Sequence, residues 1–190
     1  MKKYKIGQLF LISISVHFLI PIHAQSQRPF ITMWEPAGSP ISIITKEGYK
    51  YNYDIKIYDA ASEELLVERK GLSSNMYTLQ VYNQLLLVEI YPQPDGSGFP
   101  SICFDSIENR EKLVGILQWG DVKWENLMSS FYGCKFLQEK PTDVPNLSQC
   151  NDMRYMFFDV PIFRKVDVEN WTFNAQADTT HMFGKRTHKP

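Results

Sequence analysis

The chain is 190 residues long, with 20 Lys and Arg against 21 Asp and Glu and a formal net charge of −1. A balance this even, with no basic stripe, excludes the electrostatic footprint of a nucleic-acid binder. Four His and three Cys offer no zinc-site spacing and no even set of disulfide partners.

The first element is an address. Lys2, Lys3 and Lys5 give a positive start, residues 9–22 are almost wholly apolar, and Ile22-His23-Ala24 ends in a small residue. This predicts a signal peptide over 1–24, cut before Gln25, and a secreted chain at the cell surface or in the extracellular space. The alternative is a membrane anchor. The run is short for the ~20 residues of a span, however, and Pro21 and His23 interrupt its end. No Cys follows the cut, which argues against a lipid-anchored lipoprotein. No later apolar run is long enough to cross a membrane. Removing three Lys and no acid would lower the net charge by three further units.

Residues 25–112 are expected to form a β-sandwich domain. Phe30 to Trp34 and residues 41–45 are aromatic and β-branched, and residues 51–58 alternate apolar and polar in their second half. Tyr77, Leu79 and Val81 share one side of the next segment, and residues 85–91 form another apolar run. Period-2 patterning with short spacings predicts about seven antiparallel strands, in an immunoglobulin-like sandwich or a compact barrel. Turn chemistry at 36–40, 71–75 and 92–98 separates them.

From residue 113 the texture changes to a repeat with a period of 26. Asn126, Asp152 and Asp178 keep that spacing, as do Phe131, Phe157 and Phe183. Ser130, Met156 and Met182 form a third column, and Trp119, Pro145 and Trp171 a fourth. Asn and Asp are good N-caps, so residues 127–131, 153–157 and 179–183 are expected to be one or two helical turns. Val114 and Ile116, and then Phe163, Val166 and Val168, read as short strands. A period of this length predicts a stack of strand-plus-helix units over 113–190: two units and a partial third. The fold class expected is therefore α+β, an antiparallel sandwich followed by a short leucine-rich-repeat-type solenoid. Cys134 and Cys150 could pair, although their spacing does not match the repeat. The alternative is that Cys103, Cys134 and Cys150 are small buried hydrophobes.

These segments resemble BspA-like bacterial surface proteins. Ser130-Phe131-Tyr132-Gly133-Cys134-Lys135-Phe136-Leu137 is similar to the A-F-x-x-C-x-x-L signature of their leucine-rich repeats. Asn151-Asp152-Met153-Arg154-Tyr155-Met156-Phe157 is similar to their D-M-S-Y-M-F run, and Asp178-Thr179-Thr180-His181-Met182-Phe183 follows the same template. Phe30-Ile31-Thr32-Met33-Trp34 and Gln118-Trp119-Gly120-Asp121 also resemble segments of that family, in which a PKD-like sandwich precedes the repeats. Tyr58-Asp59-Ala60-Ala61-Ser62 stands where family sandwiches often carry W-G-D-G-T. The resemblance implies a protein that works by adhesion to host matrix proteins or other cell-surface macromolecules.

No catalytic constellation accompanies the repeat. His181 and His188 are the only His beyond the leader, and His181 shares a repeat column with Ser129 and Tyr155, so a structural role is expected. Asp95-Gly96-Ser97-Gly98 lacks the ligand series of a calcium loop and reads as a turn. Glu63 and Glu64 are adjacent solvated charges in an expected turn. The Trp residues pose a choice. Trp119 and Trp171 share a column, so core packing is expected of them, whereas Trp124 lies off it and is the candidate for exposure. The chain is thus expected to be a binding protein, with no enzyme activity, cofactor or metal, and with an extracellular protein or glycan as partner. Exposed positions between the core columns would carry recognition, and no ligand-binding residue is singled out. The alternative is an accessory carbohydrate-binding module, which would need coplanar aromatics on the sandwich. A small glycan hydrolase would need two carboxylates converging in a cleft.

Overall fold

The computed structural model describes residues 27–104 and 106–185. The signal peptide expected over 1–24 lies outside them. The elements run β1 (Phe30–Trp34), β2 (Ser42–Ile44), β3 (Tyr53–Asp59), β4 (Leu65–Leu72), β5 (Met76–Thr78), β6 (Leu86–Tyr91), α1 (Ile107–Lys112), β7 (Leu113–Gln118), β8 (Phe157–Phe158), a 3-10 turn (Lys165–Val168) and β9 (Phe183–Gly184).

Strand β1 alternates buried Phe30, Thr32 and Trp34 with half-buried Ile31 and Met33, the pattern of a strand with one face on a core. It pairs antiparallel with β6 on one side and β7 on the other. Adding β3 and β4 gives an antiparallel five-stranded sheet in the order β4-β3-β6-β1-β7. Tyr53, Ile55 and Ile57 of β3 and Leu86, Val88 and Ile90 of β6 bury the same face. The antiparallel pair β2–β5 brings Ile43, and its flanks bring Ile41 and Leu79, into that core. Trp34 and Phe104 meet edge to face at 5.1 Å, as do Tyr53 and Phe99 at 4.8 Å. Strand β4 was not foreseen. Its residues are exposed or half-buried throughout, so no apolar alternation announced it.

Strand β7, just past the boundary expected at 112/113, is the outer strand of this sheet. Ile116 N–H donates to the Glu139 carbonyl and Gly115 bridges Glu139 in parallel, so the sheet edge passes directly into the C-terminal segment. There Asn126, Asp152 and Asp178 bridge one another in parallel, as do Phe157 and Phe183. The core is one contiguous cluster from Phe30 to Met182.

The α+β class with a leucine-rich-repeat-type solenoid over 113–190 is overturned. Among the described residues the fold is β-rich, with the five-stranded sheet and the β2–β5 pair antiparallel and the short β8–β9 pair parallel, and the one α-helix, α1, precedes the repeated segments. None of residues 127–131, 153–157 and 179–183 is helical: they form turns, with Phe157 and Phe183 entering β8 and β9. Ser129, Tyr155 and His181 have φ of 56°, 58° and 53°, and a left-handed residue cannot continue a right-handed helix. The bonds Ser130 N–H to Leu127 O, Met156 N–H to Met153 O and Met182 N–H to Thr179 O close single turns. No strand forms at Phe163, Val166 and Val168: Phe163 is buried outside any element, and Val166 and Val168 lie in the 3-10 turn, with Val166 exposed.

Candidate binding face

Each repeated turn begins with an Asn or Asp whose side-chain oxygen accepts the N–H two residues on. Asn126 accepts from Met128 at 3.0 Å, Asp152 from Arg154 at 3.1 Å and Asp178 from Thr180 at 2.9 Å. This local bond explains the Asx column without a helix. Along the first interface Leu127, Ser129, Phe131 and Gly133 donate to the carbonyls of Asp152, Arg154, Met156 and Phe158. Met153, Tyr155, Phe157 and Asp159 donate in the same way to Asp178, Thr180, Met182 and Gly184. Behind this ladder Phe131, Phe157 and Phe183 stack at 5.5 and 5.9 Å.

The outward side of the ladder is the candidate site. Tyr132 and Phe158 lie parallel at 5.5 Å, with 5° between their planes. Tyr155 meets Phe158 edge-on at 5.7 Å and stacks on His181 at 5.2 Å. Arg110 covers the far side of Tyr132 at 5.3 Å, a cation–π contact. A Cβ on Gly184 would fall 2.5 Å from the Phe158 ring, so the glycine backbone lies close against that ring. The Tyr132 and Phe158 rings are thereby largely covered on their faces, whereas Tyr155 and His181 are exposed. At its sheet end the row opens into a 630 Å³ cleft whose lining includes Ile44, Lys46, Glu47, Arg110, Met128 and Tyr132. There Lys46 Nζ donates to the Met128 carbonyl.

Arg154 ties the face together. It donates from Nε and Nη2 to the two Asp152 oxygens at 3.0 and 2.7 Å and reaches Asp178 at 3.6 Å. Burial alone would raise the Asp152 carboxyl, but the Arg154 hydrogen bonds and charge hold it below its ordinary value. The Asp178 carboxyl is also lowered, chiefly by its bonds to Thr180 and then by Arg154.

No family model, curated protein or solved structure matches the chain.

The structure separates the residues singled out from sequence. His181 is the one histidine among the described residues; it is exposed and stacked on Tyr155. Trp124 is fully buried, which overturns its expected exposure; it packs against Phe30, Phe99 and Trp119. Trp34, Trp119 and Trp171 are buried too, so no Trp platform faces solvent. Cys134 and Cys150 are separate buried thiols, pushed up by burial to about 12 and about 11. Asp95 accepts from Ser97 N–H in a turn. Among the described residues no group of three His, Cys, Asp or Glu is placed to hold a metal ion. No helix there is long and apolar enough to cross a membrane. Of the aromatic row, Tyr155 and His181 stand in a column noted in the sequence, and Tyr132 and Phe158 keep the same 26-residue spacing. Arg110 and Lys46 gave no such signal, because tertiary folding alone brings them there.

Proposed function

We propose that the chain is a secreted bacterial surface protein of the BspA-like kind. It would adhere to host matrix proteins or other cell-surface macromolecules through the face of the aligned turns. The observation that carries this reading is the row Tyr132–Phe158–Tyr155–His181, an aromatic surface beside Arg110 and Arg154. Aromatic and Arg side chains are the residues that most often anchor protein partners. The face is rigid, because each of its turns is fixed by the ladder behind it. It works by binding, without a catalytic set, cofactor or metal.

The second reading, an accessory carbohydrate-binding module, draws on Tyr58 and Tyr91, which are half-buried on the outer side of the main sheet. Lys56 lies over the Tyr91 ring at 5.2 Å, and the Tyr91 hydroxyl is held by Glu89 at 2.6 Å. Tyr58 shares the same Glu89 carboxylate, so neither ring stands as a free platform and this reading is the weaker one. Binding of the 25–190 chain to purified matrix proteins, with soluble glycans as competitors, tests the choice. The adhesive reading expects saturable binding that glycans do not reduce. Binding to glycans alone, lost in Tyr58→Ala, would replace it with the carbohydrate module.

A further inference from the structure

Among the described residues the parallel ladder is closed at one end and open at the other. At the sheet end Asn126 bridges Ser101 in parallel, and its N–H donates to the Pro100 carbonyl. At the far end the N–H groups of Thr179, His181 and Phe183 occupy the positions that Met153, Tyr155 and Phe157 use to donate forward. Among the described residues those three find no acceptor. Beside them lies a 780 Å³ cleft whose walls include Trp171, Phe173, Met182 and Phe183, with Lys165 and Glu169 also lining it. The Phe183 ring stacks on Phe157 through one face. Phe183 also lines the cleft at that end. Three donors at alternate residues beside an apolar wall are a template for strand addition.

We propose that this edge binds a peptide segment of another protein, added parallel to residues 179–185 in the turn conformation of residues 152–158. The two internal interfaces state what that segment must carry. Its carbonyls must meet donors at alternate residues. An Asn or Asp must open it, as Asn126, Asp152 and Asp178 open theirs. Five residues later an aromatic ring must stack on Phe183, as Phe157 stacks on Phe131 at 5.5 Å. The backbone bonds supply affinity and the Asx-to-aromatic spacing supplies selectivity. This edge is a second site; it adjoins the aromatic face at His181, using the backbone N–H where the face uses the ring.

The test uses a labelled synthetic peptide copying residues 150–160, which contains Asp152 and Phe157 at the required spacing. The comparison peptide carries Asp152→Ala and Phe157→Ala. Fluorescence anisotropy with the 25–190 chain should show saturable binding of the first peptide and at least tenfold weaker binding of the second. Hydrogen exchange should slow at the amides of Thr179, His181 and Phe183 when the first peptide is bound. In Phe183→Ala, affinity should fall at least tenfold. If that variant unfolds, the exchange map on the unaltered chain decides alone. Equal binding of both peptides, no saturation, or protection elsewhere would overturn the proposal. Concentration-dependent protection of the same amides without peptide would also overturn it, by making a second copy the occupant.

Discussion

At the scale of single residues, backbone conformation and burial outweigh residue type. Gly120 has a φ of +65°, and a Cβ there would sit 2.2 Å from the Pro29 carbonyl oxygen. Gly120→Ala should therefore cost at least about 2 kcal/mol, read by urea denaturation, since both strain and overlap oppose it. Cys134 and Cys150, their thiols raised by burial to about 12 and about 11, should resist iodoacetamide at pH 7.5 and react once the chain is unfolded. Asp152 and Asp167 have carboxyls held below their ordinary value. Burial opposes the shift in each, and Arg154 in one case and Lys140 in the other outweigh it. A lowered carboxyl contributes stability that is present above its unfolded pKa and lost as pH falls through the folded one. Stability should thus decline below about pH 4, and Arg154→Gln should flatten that decline. Not all of this was visible in the sequence. The Asx column is legible because its side chains act locally, although they close turns and not the expected helices. The burial of Trp124 is not, because Phe30 and Phe99, which pack on it, come from distant parts of the chain.

At the scale of elements, the column spacing was legible and the element type was not. Phe131, Phe157 and Phe183 recur because each ring packs on the next, and such a column constrains sequence directly. Whether the backbone beside it coils into a helix depends on φ at Ser129, Tyr155 and His181. None of these is Gly, so residue type gave no warning of the left-handed turn. Strand β4 was hidden for the opposite reason: its side chains are largely exposed and leave no hydrophobic trace. The middle ring of the column carries the most packing, since Phe157 also lies 4.0 Å from Phe163, with the planes near parallel. Phe157→Ala should destabilise the chain by about 3–5 kcal/mol, and guanidinium denaturation with no change in m-value would check it.

At the scale of the whole molecule, the sheet and the ladder share one core. Phe30 stacks on Trp119 at 5.7 Å, and Trp119 meets Phe131 at 5.9 Å and Trp171 at 5.5 Å. Ending the chain after Lys112 would remove β7 from beside β1 and strip Trp119 and Trp124 from the core. A fragment of residues 25–112 should therefore fail to fold, whereas the 25–190 chain should unfold in one cooperative transition. Sharing a core also makes the aromatic face a rigid part of the molecule, which is what a binding surface needs. The most direct test of that face is the double variant Tyr155→Asn, His181→Asn. Asn tolerates the left-handed backbone at both positions, and both side chains are exposed, so the core is left alone. Binding to immobilised matrix proteins should fall at least tenfold while the melting temperature stays within a few degrees. Undiminished binding by a folded double variant would contradict the assignment of function to this face.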